Sequence, residues 1–329
     1  MLRIGLLGCG RIGHVHAKSV SQVDGAVVMA VADAYPETAQ TLAAVTGAKV
    51  MQAKALITSE LVDAVVIGTP TDTHYDFIHA CAAAGKPIFC EKPVDMSAGR
   101  IRECIKAVEA ADVPFLTAFN RRFDPNFARV QDLITKGEIG NVELVTILSR
   151  DPSPPPISYV ESSGGLFRDM TIHDFDMARF LLGEEPVSVH AVGSALVNPE
   201  IGKVGDVDTA AVTLATASGK ICQISNSRRA SYGYDQRIEV HGSQGMLRAE
   251  NVLENTVEMA TATGFTKAPA QHFFLQRYEA AYRAEMRHFI NAVTNGIPVT
   301  PSITDGLRAQ ILADAATLSC KEGRTITLD

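Results

Sequence analysis

The amino-acid sequence predicts an α/β fold with two domains whose hydrophobic patterns differ. Up to about residue 118, short apolar strands alternate with Ala-rich helical segments such as 75–84 and 101–110. This alternation favours a parallel sheet with helices on both faces, and continuously apolar strands are typical of strands buried on both sides. The later part favours an α+β domain with a large, mostly antiparallel sheet, because apolar and polar residues alternate there between turn signals.

The expected elements follow from these patterns. In the first domain the strands are expected at 3–7, 27–32, 64–68, 87–90 and 115–118. In the second domain, strands are expected at 142–149, 188–197, 209–216, 220–227, 237–241 and 246–249, and helices at 126–136, 165–182, 276–294 and 304–318. The proline-rich segment 152–156 is expected to be an irregular loop. We place the domains at 1–119 and 120–329, with the last helix packing back on the first domain.

Composition restricts the class of partner. The chain has 329 residues, of which 46% are hydrophobic, so it can bury a sizeable core as two domains. Its net charge is −7, from 30 Lys and Arg against 37 Asp and Glu. Without a long basic run, nucleic acid and anionic membranes are not expected partners. No signal peptide is expected, and no apolar run reaches membrane-spanning length.

The cysteines argue against metal and disulfide sites. They are scattered and form no C-x-x-C pair, at Cys9, Cys81, Cys90, Cys104, Cys222 and Cys320. This spacing disfavours a zinc site and a disulfide framework, so no metal is expected and a reducing cytoplasm fits best. Cys9 and Cys90 flank candidate functional loops, but we expect both to be small buried residues.

A glycine fingerprint directly follows the first strand and opens a helix. Its sequence is Gly8-Cys9-Gly10-Arg11-Ile12-Gly13. The first glycine allows a tight turn, the second lets the main chain approach a pyrophosphate, and the third lets the helix pack on the strand. Asp33 ends the second strand 20 residues beyond Gly13, where it can bind the adenosine ribose and repel a 2′-phosphate. We therefore expect a Rossmann domain that binds NAD rather than NADP; a purely structural glycine turn is disfavoured.

Two further segments are expected at the same edge of the sheet. Thr69-Pro70-Thr71 ends the strand at 64–68 and would lie along the cofactor, with His74 one turn later. For His74 a structural role is the favoured alternative. Glu91 and Lys92 follow the strand at 87–90, where Pro93 stops it. Catalytic groups of such folds are expected at this edge, so Lys92 is a candidate for hydrogen-bonding the reacting oxygen, with Glu91 beside the cofactor.

Three ionisable side chains are expected on one face of the helix at 165–182. Asp169, His173 and Asp176 are spaced by four and three residues, and a helix turns by about 100° per residue. Oxidising an alcohol with NAD needs a base for the hydroxyl proton while hydride leaves the carbon. Imidazole titrates in a suitable range, so we expect His173 to be the base and Asp169 to orient it. An ordinary Asp–His pair on a wet surface is the alternative.

Together these segments resemble the glucose-fructose oxidoreductase / inositol dehydrogenase / rhizopine-catabolism family over essentially the whole chain. The resemblance rests on the glycine fingerprint, Thr69-Pro70-Thr71 with His74, Glu91-Lys92-Pro93, and Gly164-Gly165 leading into Asp169-x-x-x-His173-x-x-Asp176. It implies that Lys92, Asp169 and His173 form the catalytic set and that the Lys92–Pro93 peptide bond is cis.

Within the family, residues 119–125 and 149–152 resemble the corresponding segments of bacterial inositol 2-dehydrogenases. The resemblance implies that Arg122, Asp151 and Asp176 bind substrate hydroxyls beside the catalytic set, although some inositol dehydrogenases place a histidine near the position of Asp151. Tyr232 and Tyr234 are candidates for the rim of the substrate pocket, and a structural role is equally open for both.

The resemblance implies a cytoplasmic homotetramer that oxidises a cyclic polyol with NAD, foremost myo-inositol to 2-keto-myo-inositol (scyllo-inosose). It leaves open scyllo-inositol, a rhizopine or an aldose sugar as substrate, because a change in hydroxyl orientation alters few residue types. A non-catalytic, nucleotide-sensing regulator on the same fold is a further alternative, since fold alone does not fix function. The complete catalytic set disfavours the regulator.

Overall fold

The N-terminal part of the chain forms a six-stranded parallel sheet in the computed structural model, which describes residues 1–328. Its strands are β1 (Leu2–Leu7), β2 (Ala26–Ala32), β3 (Lys49–Val50), β4 (Ala64–Ile67), β5 (Ile88–Cys90) and β6 (Phe115–Thr117). The five predicted strands occur within one residue of their predicted ends, and the two-residue β3 is additional. The spatial order β3-β2-β1-β4-β5-β6 changes direction at β1, which is where such sheets bind ligands.

Helices connect these strands and cover the sheet. They are α1 (Arg11–Ser21), α2 (Pro36–Thr46), α3 (Ala53–Ile57), α4 (His74–Ala83) and α5 (Ala98–Ala111). Strands β4, β5 and β6 are buried at every position, as expected for strands covered on both faces. The predicted α/β class of the N-terminal part is therefore confirmed.

The remaining elements include a second, larger sheet. The helices are α6 (Pro125–Thr135), α7 (Ile157–Ser162), α8 (Leu166–Asp169), α9 (Ile172–Leu182), α10 (Pro199–Lys203), α11 (Phe274–Arg277), α12 (Glu279–Asn295) and α13 (Ile303–Glu322). The strands are β7 (Val142–Arg150), β8 (Pro186–Ser194), β9 (Thr209–Thr216), β10 (Ile221–Ser227), β11 (Asp235–Gly242), β12 (Gly245–Ala249), β13 (Glu258–Thr261), β14 (Gly264–Lys267) and β15 (Ile326–Thr327).

Seven of these strands pair in the order β12-β11-β7-β10-β9-β8-β15. Among the neighbouring strands of this sheet, as described over residues 1–328, β7 and β10 run parallel and the others run antiparallel. This confirms the mostly antiparallel sheet. Buried and exposed residues alternate along β9 and β10, and α9 packs on β7 and β10. One face of the sheet is therefore covered by a helix, while the other face is open in the single chain.

The chain divides into two compact units, and each unit consists of two separate segments of the chain. The first unit is Met1–Phe123 with Ala280–Gln310, and the second is Asp124–Glu279 with Ile311–Asp329. The returning segment Ala280–Gln310 comprises most of α12 and the start of α13. Within the first unit, Phe289 of α12 packs edge-on against Phe89 of β5, with 5.6 Å between the ring centroids.

The continuous helix expected over 165–182 is wrong, because the segment forms two helices. Between α8 and α9 the Thr171 amide donates to the Leu166 carbonyl (3.0 Å), five residues back instead of four. The buried Thr171 hydroxyl donates to Oδ1 of Asn226 on β10 (2.8 Å). This contact with the sheet holds the junction, so Asp169 does not share a helix face with His173. The helix expected from residue 276 is also divided, since α12 starts only at Glu279.

Candidate active site

The glycine loop joins β1 to α1 as predicted, and it leaves no room for side chains at two positions. A Cβ at Gly8, where φ is +90°, would lie 2.5 Å from the Gly68 carbonyl oxygen, and one at Gly13 would lie 2.1 Å from the Gly8 carbonyl oxygen. Gly10 differs, because a Cβ there would meet no described atom within 4 Å, and no side chain caps α1 at this N-cap. The helix N-terminus is therefore open to a bound anion such as a pyrophosphate.

Asp33 is fixed beside this loop at the end of β2. Its Oδ2 accepts a hydrogen bond from the Cys9 amide (2.7 Å), and its Oδ1 accepts one from the Tyr35 amide (2.9 Å). Each carboxylate oxygen can accept more than one hydrogen bond, so Asp33 can also accept from ribose hydroxyls. The loop and the carboxylate together fit a dinucleotide without a 2′-phosphate.

Thr69-Pro70-Thr71 follows β4, next to the glycine loop. The Gly68 amide donates to the Leu7 carbonyl (2.8 Å), which joins the ends of β4 and β1. His74, the first residue of α4, is buried. Its Nε2 lies 2.9 Å from the Thr69 carbonyl oxygen and its Nδ1 lies 2.9 Å from the Pro93 carbonyl oxygen. The ring is thus held between two main-chain segments, which fits the structural role that the sequence favoured.

Glu91 and Lys92 follow β5 at the same edge. The Lys92–Pro93 peptide bond is cis, as the resemblance implied. The Glu91 carboxylate lies 2.7 Å from Nε2 of His16 and accepts from the Lys92 amide at 3.3 Å. Lys92 itself is half-buried. Arg122 belongs to the same unit, where its Nη2 donates to Asp305 of α13 (2.9 Å).

In the second unit Asp169 is held by two side chains that sequence reasoning missed. Nη1 and Nη2 of Arg228 both donate to its Oδ2 at 3.2 Å, and the Tyr159 hydroxyl donates to its Oδ1 at 2.9 Å. The Arg228 side chain is only 2% exposed. Burial of the hydroxyl and the neighbouring Asp169 carboxylate raise the pKa of Tyr159. The available sequence signal was the position of Arg228 directly after the strand predicted at 220–227.

His173 and Asp176 lie in α9, as predicted. His173 is half-buried in the first turn, whereas Asp176 is only 1% exposed and lies 3.6 Å from Nη1 of Arg179. The buried Asp174 between them accepts from Nδ2 of Asn226 (2.8 Å). Asn226 therefore contacts both the junction before α9 and the first turn of that helix.

The other candidates, Asp151, Tyr232 and Tyr234, lie near the end of the seven-stranded sheet from which Arg228 extends. The Asp151 amide donates to the Ser227 carbonyl (3.0 Å), directly before Arg228. Tyr232 is 49% exposed, and its hydroxyl donates to Asp235 (2.7 Å). Tyr234 is only 4% exposed and packs edge-on against a second tyrosine ring. Tyr234 is therefore a core residue, while Tyr232 is available at the surface.

The sequence-predicted residues are divided between the two units. The first unit contains the glycine loop, Asp33, Thr69–Thr71, His74, Glu91, Lys92 and Arg122, and the second contains Asp151, Asp169, His173, Asp176 and Tyr232. Within residues 1–328, no group of three His, Cys, Asp or Glu side chains is arranged to hold a metal ion. Over the same residues no helix is both long and apolar enough to span a membrane.

Comparison with known proteins gives matches along the chain. Residues 2–119 match the family model described as oxidoreductase family, NAD-binding Rossmann fold, and residues 131–328 match its C-terminal alpha/beta domain. A relative named inositol 2-dehydrogenase, from Rhizobium meliloti strain 1021, is 54% identical over 99% of both chains.

Two solved structures are similar over nearly their full length. A myo-inositol dehydrogenase from Corynebacterium glutamicum superposes with a TM-score of 0.96 at 42% identity, covering 100% of this chain and 99% of the other. A scyllo-inositol dehydrogenase from Lactobacillus casei, with NAD(H) and scyllo-inositol bound, superposes with a TM-score of 0.93 at 28% identity and covers 99% of both chains.

Proposed function

Because the chain belongs to the glucose-fructose oxidoreductase / inositol dehydrogenase / rhizopine-catabolism family of NAD-binding oxidoreductases, we propose that it oxidises myo-inositol to 2-keto-myo-inositol. The observation that carries this substrate is the 54% identity, over 99% of both chains, with a relative named inositol 2-dehydrogenase. Residues 1–119 bind NAD in this proposal, and residues 120–329 bind the substrate and mediate assembly.

The cofactor residues have distinct tasks. Gly8, Gly10 and Gly13, with Arg11 and Ile12 between them, shape the pyrophosphate site at the start of α1, and Asp33 accepts hydrogen bonds from the ribose. Thr69-Pro70-Thr71 and Glu91 line the path toward the reacting end. When bound, NAD supplies the acceptor for the hydride that leaves the substrate carbon.

In the chemical step the substrate loses a proton from oxygen and a hydride from carbon. His173 takes the hydroxyl proton, and Lys92 donates a hydrogen bond to the same oxygen as the carbon–oxygen double bond forms. Asp169 orients His173 as a fixed hydrogen-bond acceptor, since its negative charge is shared with the Arg228 guanidinium. Support for this role is the pair of Arg228 hydrogen bonds that hold the Asp169 carboxylate in one position.

The other hydroxyls of the ring need polar partners, since an unpaired hydroxyl loses the hydrogen bonds it made with water. We assign this role to Arg122, Asp151, Asp176 and Tyr232. The Arg122 guanidinium shares its charge with Asp305 at 2.9 Å, so it acts as a directional donor more than as an isolated charge. This suits a neutral polyol better than an anionic substrate.

Assembly and location belong to the same proposal. We propose a cytoplasmic homotetramer without nucleic acid or membrane partners. The open face of the seven-stranded sheet supports assembly, because Leu144, Ile221 and Met246 are each at least 36% exposed there. The six cysteines support a reducing compartment, since all are free thiols and five are buried.

A panel of substrates tests the function. The protein would be assayed with NAD and with NADP against myo-inositol, scyllo-inositol, glucose and xylose, following NADH or NADPH absorbance, and the product would be identified by mass spectrometry. We expect the highest kcat/KM with myo-inositol and NAD. The main rival substrate is scyllo-inositol, because a similar structure is a scyllo-inositol dehydrogenase. Activity with an aldose and none with either inositol would refute the proposal that myo-inositol is the substrate.

A further inference from the structure

Two buried histidines contact the residues on either side of Lys92. His16 lies in α1 and contacts Glu91, while His74 begins α4 and contacts the Pro93 carbonyl. His16 belongs to none of the sequence motifs, and His74 fits either a cofactor contact or a structural role. All of these contacts lie within the first unit.

His16 is held so that one ring nitrogen points at Glu91. Its side chain is 0% exposed, and Nε2 lies 2.7 Å from Oε1 of Glu91. Within residues 1–328 its Nδ1 meets no hydrogen-bond partner. The ring packs edge-on against Phe89 and Tyr282, with centroid distances of 4.8 and 6.0 Å. Because an ionised carboxylate only accepts hydrogen bonds, Nε2 must donate, and the aromatic rings fix its direction.

His74 connects the other side of Lys92 to the segment after β4. Its two ring nitrogens each lie 2.9 Å from a carbonyl oxygen, one of Pro93 and one of Thr69. Burial lowers the pKa of His74. A neutral imidazole has one N–H, so the ring donates to one of these carbonyls at a time.

These contacts matter because lysine is a flexible residue. Four methylene groups separate the ammonium from Cα, and the bonds between them rotate. The position of the ammonium is therefore defined only if the main chain beside it is fixed. Misplacing a reacting group by about 1 Å can cost about 10²-fold in rate. Here Glu91 contacts His16 of α1, the helix that begins in the glycine loop. On the other side of Lys92, His74 lies between the carbonyl oxygens of Pro93 and Thr69.

We propose that His16 and His74 are positioning residues that hold the main chain of Lys92 in register with the two segments that bind the dinucleotide. The proposal rests on the proposed function in one respect, namely that Lys92 takes part in the reaction. It extends that function by assigning the alignment of the lysine to two side chains that need not touch the substrate.

Conservative substitutions separate the individual hydrogen bonds. His16→Gln keeps an amide donor near the position of Nε2, whereas His16→Leu removes it at similar volume. His74→Asn keeps a donor near Nδ1, toward Pro93, and His74→Gln keeps one near Nε2, toward Thr69. His79→Leu on α4 is the matched control, because within residues 1–328 its Nε2 has no hydrogen-bond partner and its ring packs against Tyr75.

For the variants that lose contact with the lysine segment, His16→Leu and His74→Gln, we expect kcat to fall by up to about 10²-fold. The dissociation constant for NAD, measured by calorimetry, should change much less than kcat does, because the glycine loop and Asp33 keep their contacts in both variants. The deuterium isotope effect on kcat with C-deuterated substrate should increase. His16→Gln, His74→Asn and His79→Leu should retain near-normal kcat.

A second readout does not depend on turnover. Hydrogen–deuterium exchange of the peptide covering residues 88–96 should accelerate in His16→Leu and in His74→Gln, while exchange of β1 and β6 stays unchanged. Inactivity of the wild type toward every substrate would refute the proposed function, and the exchange result would still test the positioning role. Normal kcat and normal exchange in both His16→Leu and His74→Gln would overturn the positioning role. So would a loss of kcat in His16→Leu that His16→Gln does not restore, or faster exchange throughout the first unit.

Discussion

At the scale of single residues, the Asp169 carboxylate depends on a partner far away in the sequence. Arg228 directs two N–H groups at one carboxylate oxygen from a position that is almost fully buried. We expect Arg228→Met to lower kcat by about 10²-fold, because the carboxylate loses both guanidinium hydrogen bonds to Oδ2 and its position becomes less defined. Steady-state assays at saturating NAD measure this effect. The adjacent, exposed Arg229 supplies the control, and Arg229→Met should behave as the wild type; equal kcat values for the two variants would contradict the role of Arg228.

Asp33 gives a second prediction at this scale. Its carboxylate accepts from the Cys9 amide at 2.7 Å and can also accept from a ribose. Asp33→Ala should lower the preference for NAD over NADP by about 10- to 100-fold, the range of a hydrogen bond to a charged group. Asp33→Asn keeps an acceptor for Cys9 but removes the charge, so it separates repulsion of a 2′-phosphate from support of the loop. The ratio of kcat/KM with the two cofactors is the measurement, and an unchanged ratio in both variants would refute the ribose argument.

Segments that a local sequence pattern marks were predictable from sequence, whereas contacts across the fold were not. The glycine loop lies between a strand and a helix, and Glu91-Lys92-Pro93 follows a strand that the proline ends. Neighbouring residues in the sequence therefore indicate both segments. Arg228 meets Asp169 across 59 positions and His16 meets Glu91 across 75. Hydrogen bonds over such separations depend on the packed fold and leave no periodic signal in the sequence.

At the scale of elements, the junction between α8 and α9 shows where periodicity fails. The spacing of Asp169, His173 and Asp176 fits a continuous helix, but Thr171 turns its hydroxyl to Asn226 on β10 (2.8 Å). A buried polar pair of this kind outweighs the loss of one regular helical hydrogen bond, since an unpaired buried amide costs about 1–3 kcal/mol. Asp169 and His173 therefore lie in different helices, and Arg228 of the sheet holds the Asp169 carboxylate in place of helical spacing.

The junction itself can be tested by its contribution to stability. Thr171→Val keeps the shape of the side chain but leaves Oδ1 of the buried Asn226 without this donor, so the free energy of unfolding should fall by about 1–3 kcal/mol. Urea denaturation measures the change. In contrast, Thr135→Val on α6 alters an exposed threonine bonded within its own helix, and it should change stability by less than about 0.5 kcal/mol. Similar values for the two variants would show that the Thr171–Asn226 contact does not fasten the junction.

At the scale of the whole molecule, alternation of strands and helices predicted the two classes of sheet, but it did not predict the extent of each compact unit. Residues 280–310 belong with the parallel sheet although they follow the antiparallel one in the chain. Their membership depends on contacts such as the Thr117 amide with the Pro301 carbonyl (2.9 Å) and the Thr117 hydroxyl with the Ser302 carbonyl (2.7 Å). Such long-range pairing is decided by tertiary packing, which no local window reports.

The open face of the seven-stranded sheet leads to the last prediction. Ile221 lies beside Leu144, and Leu144 and Met246 are both partners of His241, so these four residues, three of them apolar, form one row across four strands. An exposed apolar row of this kind marks an association surface.

Light scattering coupled to gel filtration should give four times the chain mass of 35.2 kDa for the wild type. Ile221→Lys combined with Leu144→Lys places two like charges side by side on the row, and burying them without partners is costly. We therefore expect a smaller assembly for this double variant, and no change for Val45→Lys, whose side chain in α2 is already 76% exposed. A wild-type mass of one chain, or a double variant that keeps the full mass, would show that this face is not an interface.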